Sequence, residues 1–119
     1  SVKSVALACL TAALEDEDYL HWYTGEVRAA RRACESELQR VGLPFWPSQA
    51  NFVLAKIGQR HRAFVDAMRA RGILVRDRSA DPGCDGCVRI TLGTQEQTQQ
   101  AIAGLQASLA EIGWTEKER

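Results

Sequence analysis

The sequence has no excess of charge of either sign and no apolar run long enough to cross a bilayer. Its fifteen basic residues are balanced by fifteen acidic ones, which removes the electrostatic basis for binding nucleic acid or an anionic membrane. The longest apolar run near the start, "VALACLTAAL", covers residues 5–14 and is about half as long as a membrane-spanning helix. No basic region resembling a secretory signal precedes it. We therefore expect a cytoplasmic protein that binds neither nucleic acid nor membrane.

The chain also lacks the motifs that hold nucleotide phosphates, and it is poor in lysine. Neither G-x-G-x-x-G nor G-x-x-x-x-G-K-[ST] occurs, so no phosphate loop of these kinds is present. The lysines are Lys3, Lys56 and Lys117, and none has neighbours that indicate a desolvated amine. His21 and His61 have no nearby cysteine or serine with which to form a nucleophile and its base. The sequence therefore indicates no catalytic group of these types.

Cysteine is present, but its pattern argues against both a disulfide framework and a metal site. Cys9 and Cys34 fall within helical patterns as small apolar residues. Cys84 and Cys87 form a C-x-x-C, which can be half of a zinc site or a redox pair. No second pair of ligands completes a zinc site, and Cys87 opens a predicted strand rather than a helix. We interpret these two residues as ordinary loop thiols and expect no metal.

Apolar periodicity predicts helices and strands within a single domain of residues 1–119. Steps of three and four indicate helices, and Gly42 and Pro44 are typical of a helix end. Thr94 and Gln97 form the T-x-x-Q capping box of a last helix. The predicted elements are a helix within residues 1–16, a helix over 20–41, a strand over 51–57, a helix over 59–72, strands over 73–77 and 87–92, and a helix starting at Thr94.

This order of elements predicts an α+β fold. The sheet is small, of about three strands in antiparallel or mixed arrangement, and helices pack on one of its faces. The strands on either side of the loop at 77–86 are expected to pair as an antiparallel hairpin. The other face of the sheet then has no helix over it.

Two arginines are the candidate site residues, because both are expected on that uncovered face. Alternation along the strand at 87–92 points Val88 and Ile90 towards the helices and Arg89 away from them. Arg76 falls on the same side as Arg89 if Val75 faces the helices. Each planar guanidinium can grip a carboxylate or a phosphate through two hydrogen bonds, which predicts an anion site. The alternative is ordinary surface ion pairs with the nearby acidic residues, Asp77, Asp81 and Asp85.

Three strings carry a resemblance to a known family: "PSQANFVLAKIG", "MRARGILVRDRS" and "PGCDGCVRITLGTQEQT". In this order they resemble the C-terminal part of histidinol-phosphate aminotransferases, which are fold type I pyridoxal-phosphate enzymes. The resemblance extends back through "SVALACLTAALEDEDYLHWYTGEVRAAR" and so covers nearly the whole chain. It implies a small α+β domain that closes over a cofactor held by a large domain. Residues 1–16 would then be the helix that leads out of the large domain.

The resemblance implies roles for the two arginines. Arg89, in "VRIT", would bind an acidic group of the substrate or product, and Arg76, in "ILVRD", would help to hold the phosphate of histidinol phosphate. The carboxylates of 2-oxoglutarate and glutamate would bind to the same guanidiniums. Lys3 departs from the asparagine that is usual at its position in the family.

The resemblance also implies what this chain does not provide. The lysine that binds pyridoxal 5'-phosphate, and the groups that hold the cofactor's phosphate, would lie in the large domain, upstream of Ser1. No catalytic or cofactor-binding residue is therefore expected in this chain, and the chain alone is expected to be inactive. The intact enzyme would be a homodimer that acts in histidine biosynthesis.

The sequence leaves two further functions open. One is the small domain of a related aminotransferase or of a decarboxylase that recognises a phosphorylated amino acid. The other is a separate α+β module that binds anions or another protein.

Overall fold

The computed structural model describes residues 17–46 and 51–115. Three helices and four strands lie in these ranges. They are α1 (Glu17–Val41), β1 (Phe45–Trp46), β2 (Phe52–Lys56), α2 (His61–Ala70), β3 (Val75–Asp77), β4 (Cys87–Thr91) and α3 (Gln95–Glu111). The helix predicted within residues 1–16 lies outside the described residues.

The four strands form one antiparallel sheet in the order β1-β2-β4-β3. The α+β class and the hairpin of β3 and β4 are confirmed, but the sheet has four strands rather than about three. The strand missed by the sequence is β1, in which Phe45 pairs with Ala55 and Trp46 with Leu54. A strand of two residues shows no alternation, and this one directly follows the helix stop at Gly42 and Pro44.

All three helices pack on one face of the sheet, which we call the covered face. Val75, Ile90 and Val53 lie side by side across β3, β4 and β2, and each is at most 3% exposed. Helical side chains complete this apolar core, among them Ala30, Cys34, Leu38, Phe64, Met68, Leu105 and Leu109. Burial of this apolar surface is the main source of stability in the described part of the chain.

A chain of tight turns joins β3 to β4. The backbone N–H groups of Asp81, Cys84 and Cys87 each donate to the carbonyl oxygen three residues earlier, over 2.9–3.0 Å. Gly86 has a positive φ of 73°, and an ideal Cβ placed there would lie 2.7 Å from the Cα of Gly58. Only glycine therefore fits at position 86 without strain.

The predicted capping box at the start of α3 is confirmed. Thr94 Oγ1 accepts from the backbone N–H of Gln97, and Gln97 Oε1 accepts from the N–H of Thr94. At the other end of α3, Trp114 Nε1 donates to the carbonyl oxygen of Ile57 over 2.8 Å. These contacts hold α3 against the sheet and so hold β4 in place.

Candidate anion-binding site

The face of the sheet opposite the helices, which we call the open face, brings the two predicted site residues together. Arg76 of β3 is the direct cross-strand neighbour of Arg89 of β4. Arg89 is in turn opposite Leu54 of β2, which is opposite Trp46 of β1. A single row across the sheet therefore carries two cations side by side, flanked by apolar side chains.

This placement of two like charges is unfavourable unless an anion lies between them. Side chains directly opposite each other in an antiparallel pair have Cβ atoms about 4.5–5.5 Å apart, and like charges at that spacing destabilise the pair. In residues 17–46 and 51–115, no carboxylate forms an ion pair with either guanidinium. The arrangement thus provides a doubly cationic position that lacks an anionic partner from the described residues.

Two of the acidic residues that could have neutralised these arginines, Asp77 and Asp81, make other contacts. Asp77 accepts a hydrogen bond at 2.7 Å from His61 Nδ1. Asp81 forms an ion pair with Arg78 at 2.6 Å. The alternative of ordinary ion pairs between the site arginines and these two aspartates is therefore not what the structure contains.

The side chain of Arg89 is held in place by an aromatic ring. Its guanidinium carbon lies 5.4 Å from the centroid of the Phe52 ring, a cation–π contact that orients the planar group. Its Nε is buried and has no hydrogen-bond acceptor within the described part of the chain. A buried donor without an acceptor is costly, so the site is more favourable when an acceptor is bound. The sequence did not identify Phe52 as part of the site.

Arg76 differs from Arg89 in its exposure. It lies on the edge strand β3, where it is exposed to solvent. Its neighbour Leu74 is 65% exposed, and Trp46 at the opposite edge is 49% exposed. The open face thus combines an accessible cation, a partly buried cation and exposed apolar surface.

Asp77 and His61 stabilise the strand that carries Arg76. Burial disfavours the charged carboxylate, but hydrogen bonds from the N–H of Ser79 and from His61 outweigh this effect, so the pKa of Asp77 lies below its ordinary value. The contact joins the end of β3 to the start of α2 on the covered side. It therefore fixes residue 77 and leaves residue 76 pointing to the open face. No pattern in the sequence linked these two residues.

The described residues do not fit pyridoxal phosphate as a resident cofactor. The cofactor needs a lysine for its Schiff base and an acidic partner for its ring nitrogen. Lys56 is the lysine of the described ranges, and it lies half-buried in β2 opposite Cys87. The residues of the described strands that face the open side include no aspartate or glutamate.

Across residues 17–46 and 51–115, no helix is long and apolar enough to cross a membrane. In that same part of the chain, no three side chains of His, Cys, Asp or Glu come close enough to hold a metal ion.

Comparison with known proteins identifies the class to which this α+β chain belongs. The family model described as "Aminotransferase class I and II" matches residues 1–105. The chain belongs to this family.

Histidinol-phosphate aminotransferases are among the proteins that the chain resembles. It is 36% identical to that of Haloarcula marismortui over 108 residues, which are 89% of this chain and 29% of the relative. It is 35% identical to that of Symbiobacterium thermophilum over 111 residues, 93% of this chain and 30% of the relative. The crystal structure of histidinol-phosphate aminotransferase from Sinorhizobium meliloti in complex with pyridoxal-5'-phosphate is similar, with a TM-score of 0.71 and 30% identity. That match covers 85% of this chain and 28% of the other.

The chain thus spans about 30% of the length of these relatives. Pyridoxal phosphate is the cofactor expected for the family, in agreement with the complex from Sinorhizobium meliloti.

Proposed function

We propose that this chain is the substrate-anchoring small domain of a pyridoxal-phosphate-dependent histidinol-phosphate aminotransferase. The observation that carries the proposal is the direct opposition of Arg76 and Arg89 on the open face, without an anionic partner from the described residues. The similarity to histidinol-phosphate aminotransferases supports the choice of substrate.

The two guanidiniums would bind and orient the anionic groups of the substrates. Arg89, oriented by Phe52, would donate to an acidic group from a fixed position. Arg76, more exposed on the edge strand, would help to hold the phosphate of histidinol phosphate. A planar guanidinium fits phosphate and carboxylate equally well, so the same pair would bind the carboxylates of 2-oxoglutarate and glutamate. Neither residue would transfer a proton, and their effect would come from positioning.

The cofactor is assigned to the rest of the enzyme. Pyridoxal phosphate supplies the electron sink for amino transfer when it is bound, and the described residues of this chain do not offer the lysine and carboxylate that it needs. We propose that a large domain supplies them, that the intact enzyme is a homodimer, and that the chain alone does not catalyse amino transfer.

Steady-state kinetics of the intact parent enzyme test the assignment of Arg89. In the Arg89→Ala variant, kcat/KM for histidinol phosphate should fall about 30- to 1,000-fold, because loss of a charge-assisted pair removes about 2–4 kcal/mol of transition-state stabilisation. The efficiency with 2-oxoglutarate should fall as well. Arg69→Ala removes an arginine from the exposed surface of α2 and is the matched control, with kcat/KM unchanged.

Arg76→Ala separates phosphate recognition from general damage to the site. The parent enzyme should favour histidinol phosphate over histidinol, and this variant should lose most of that preference while its residual rate with histidinol stays the same. Unchanged catalytic efficiency of Arg89→Ala, or an unchanged preference in Arg76→Ala, contradicts the proposed roles. A panel containing aromatic amino acids, aspartate and phosphorylated amino acids distinguishes a related aminotransferase or a decarboxylase.

A further inference from the structure

The turn between Cys84 and Cys87 holds the two cysteines of the C-x-x-C close together. The N–H of Cys87 donates to the carbonyl oxygen of Cys84 over 2.9 Å, and Gly86 has the positive φ that the third position of such a turn favours. A β-turn keeps its first and last Cα atoms less than about 7 Å apart, and disulfides span Cα distances of about 4.4–6.8 Å. The Cα spacing of such a turn is thus compatible with a disulfide.

Other contacts hold this turn in its folded shape. The N–H of Gly86 donates to Ser79 Oγ over 2.9 Å, and the N–H of Arg78 donates to the carbonyl oxygen of Cys87 over 3.0 Å. Gly86 also packs directly against Gly58. A pair of thiols on a preorganised turn needs little rearrangement to form a bond.

The two thiols differ in the way that a two-step exchange reaction requires. Cys84 is half-buried and so partly accessible from solvent, whereas Cys87 is 2% exposed. The sulfur of Cys87 lies 3.9 Å from the carbonyl oxygen of Asp85, so it is directed back over the turn. Burial raises the pKa of the Cys87 thiol, Cys84 and Asp85 raise it further, and Lys56 acts in the opposite direction.

We propose that Cys84 and Cys87 form a reversible dithiol–disulfide site that reacts with small disulfides of the glutathione type. The Cys84 thiolate attacks one sulfur of the small disulfide, whose S–S bond breaks and releases one thiolate. Cys87 then loses its proton and attacks the sulfur of Cys84, which releases the second thiolate. The two protein thiols together lose two electrons and two protons, and the small disulfide is reduced to two thiols.

Cys34 provides a contrast within the same chain. It is 3% exposed in the core, and burial, followed by the charges of Glu35 and Glu37, raises the pKa of its thiol to about 11. A buried thiol with a raised pKa reacts slowly with a disulfide from solution, because the thiolate is the reactive form. Cys87 is also buried, but the sulfur that it attacks is on the same turn. The reaction with small disulfides is therefore expected at the turn and not in the core.

Peptide mass spectrometry of the 119-residue chain tests the proposal. The chain is equilibrated with mixtures of oxidised and reduced glutathione, quenched in acid, unfolded, alkylated and cleaved with trypsin. Cleavage after Arg78 and Arg89 yields one peptide, residues 79–89, that contains both cysteines. With increasing oxidised glutathione, this peptide should lose its alkyl groups and appear two hydrogens lighter than the unalkylated dithiol. The oxidised fraction should follow a single two-electron curve. The Cys34 peptide should stay fully alkylated.

Two serine variants check the order of the steps. Cys87→Ser should stop at a glutathionyl group on Cys84, because the turn then has no second thiol to displace it. Cys84→Ser should react at least about tenfold more slowly than the wild type, because the remaining thiol is buried. The proposal is overturned if the wild-type peptide keeps both alkyl groups at every glutathione ratio, or if it accumulates the glutathionyl form. A disulfide that joins Cys84 to Cys9 or Cys34 overturns it too.

Discussion

The two faces of the sheet differ in whether their side chains have partners among the described residues of the chain. On the covered face, Val53, Ile90 and Val75 are buried against three helices. On the open face, Arg76 and Arg89 lie directly opposite each other, and Arg89 Nε is buried without an acceptor from the described residues. The covered face therefore accounts for folding, whereas the open face carries two cations without an anionic partner from the described residues.

A single strand contributes to both faces. In β4, Val88 and Ile90 are buried among the helices, while Arg89 and Thr91 point to the open side. Because successive side chains of a strand point to opposite faces, alternate residues of β4 contribute to the core and to the candidate anion site. Substitutions at neighbouring positions should therefore separate the two properties.

The largest expected effect is on the covered face. Ile90→Ala should lower the free energy of unfolding by about 4 kcal/mol, since it removes buried methyl groups and leaves a cavity. Thr91→Ala, one residue further along β4 and exposed, should change it by about 0.5 kcal/mol or less. Urea denaturation of both variants measures the difference. Equal losses would mean that the two faces contribute equally to folding.

The next effect concerns the turn that connects β3 and β4. Gly86→Ala should cost about 3 kcal/mol, because its positive φ is unfavourable for alanine and the new Cβ would meet the backbone of Gly58 at 2.7 Å. Gly83 has a similar φ of 76° but nothing within 4 Å of an added Cβ. Gly83→Ala should therefore cost only about 1 kcal/mol.

Thermal unfolding of the two glycine variants provides the comparison. Because the φ angles of the two glycines are nearly equal, the difference between the variants reports chiefly the contact with Gly58. A loss in Gly83→Ala as large as that in Gly86→Ala would show that this contact is unimportant.

Local signals in the sequence predicted most of the covered face. The three-four spacing in α1, the capping box at Thr94 and the alternation in β4 all depend on residues close together in the chain. These signals correctly predicted the α+β class, the hairpin and the side on which Arg89 lies. The two-residue strand β1 was missed because its pairing with β2 depends on tertiary contacts.

The details of the candidate site were harder to predict. Alternation predicted that Arg76 and Arg89 share a face. Their direct opposition depends on the pairing register of β3 and β4, which is set by the turns over residues 78–87. The cation–π contact of Arg89 with Phe52 and the hydrogen bond of His61 to Asp77 join distant parts of the chain. No local pattern encodes such contacts, so the sequence indicated the residues without their partners.

A smaller effect concerns the contact between Asp77 and His61 on the covered side. The pKa of Asp77 is below its ordinary value of 3.8 in the folded chain, so its contribution to stability is present above about pH 4 and is lost as the pH falls through the folded pKa. Asp77→Asn removes this contribution. Between about pH 5 and pH 2, the unfolding free energy of the wild type should therefore fall more steeply than that of the variant.

Urea denaturation across this pH range measures the two slopes. Asp81→Asn is a control at a more exposed ion pair with Arg78, for which the slope should stay closer to that of the wild type. Parallel slopes for the wild type and Asp77→Asn would show that the hydrogen bonds from Ser79 and His61 do not stabilise the fold.

The smallest expected effect is a gain in stability on the open face. Without an anion, Arg76→Gln should raise the free energy of unfolding by about 0.5 kcal/mol, because it removes a like charge directly opposite Arg89. Arg76→Glu should raise it further, since it places an opposite charge there. Both gains should shrink in about 1 M sodium chloride, where the screening length is about 3 Å.

The charge series separates repulsion from other effects of the substitution. If repulsion operates, stability increases from arginine to glutamine to glutamate at position 76, whereas the same series at Arg69, on the exposed surface of α2, shows no such increase. Added phosphate should stabilise the wild type and not the glutamate variant, because only the pair of guanidiniums can share an anion. A wild type more stable than both variants in the absence of phosphate would mean that the two arginines do not repel each other. No anion would then be needed to offset their charges.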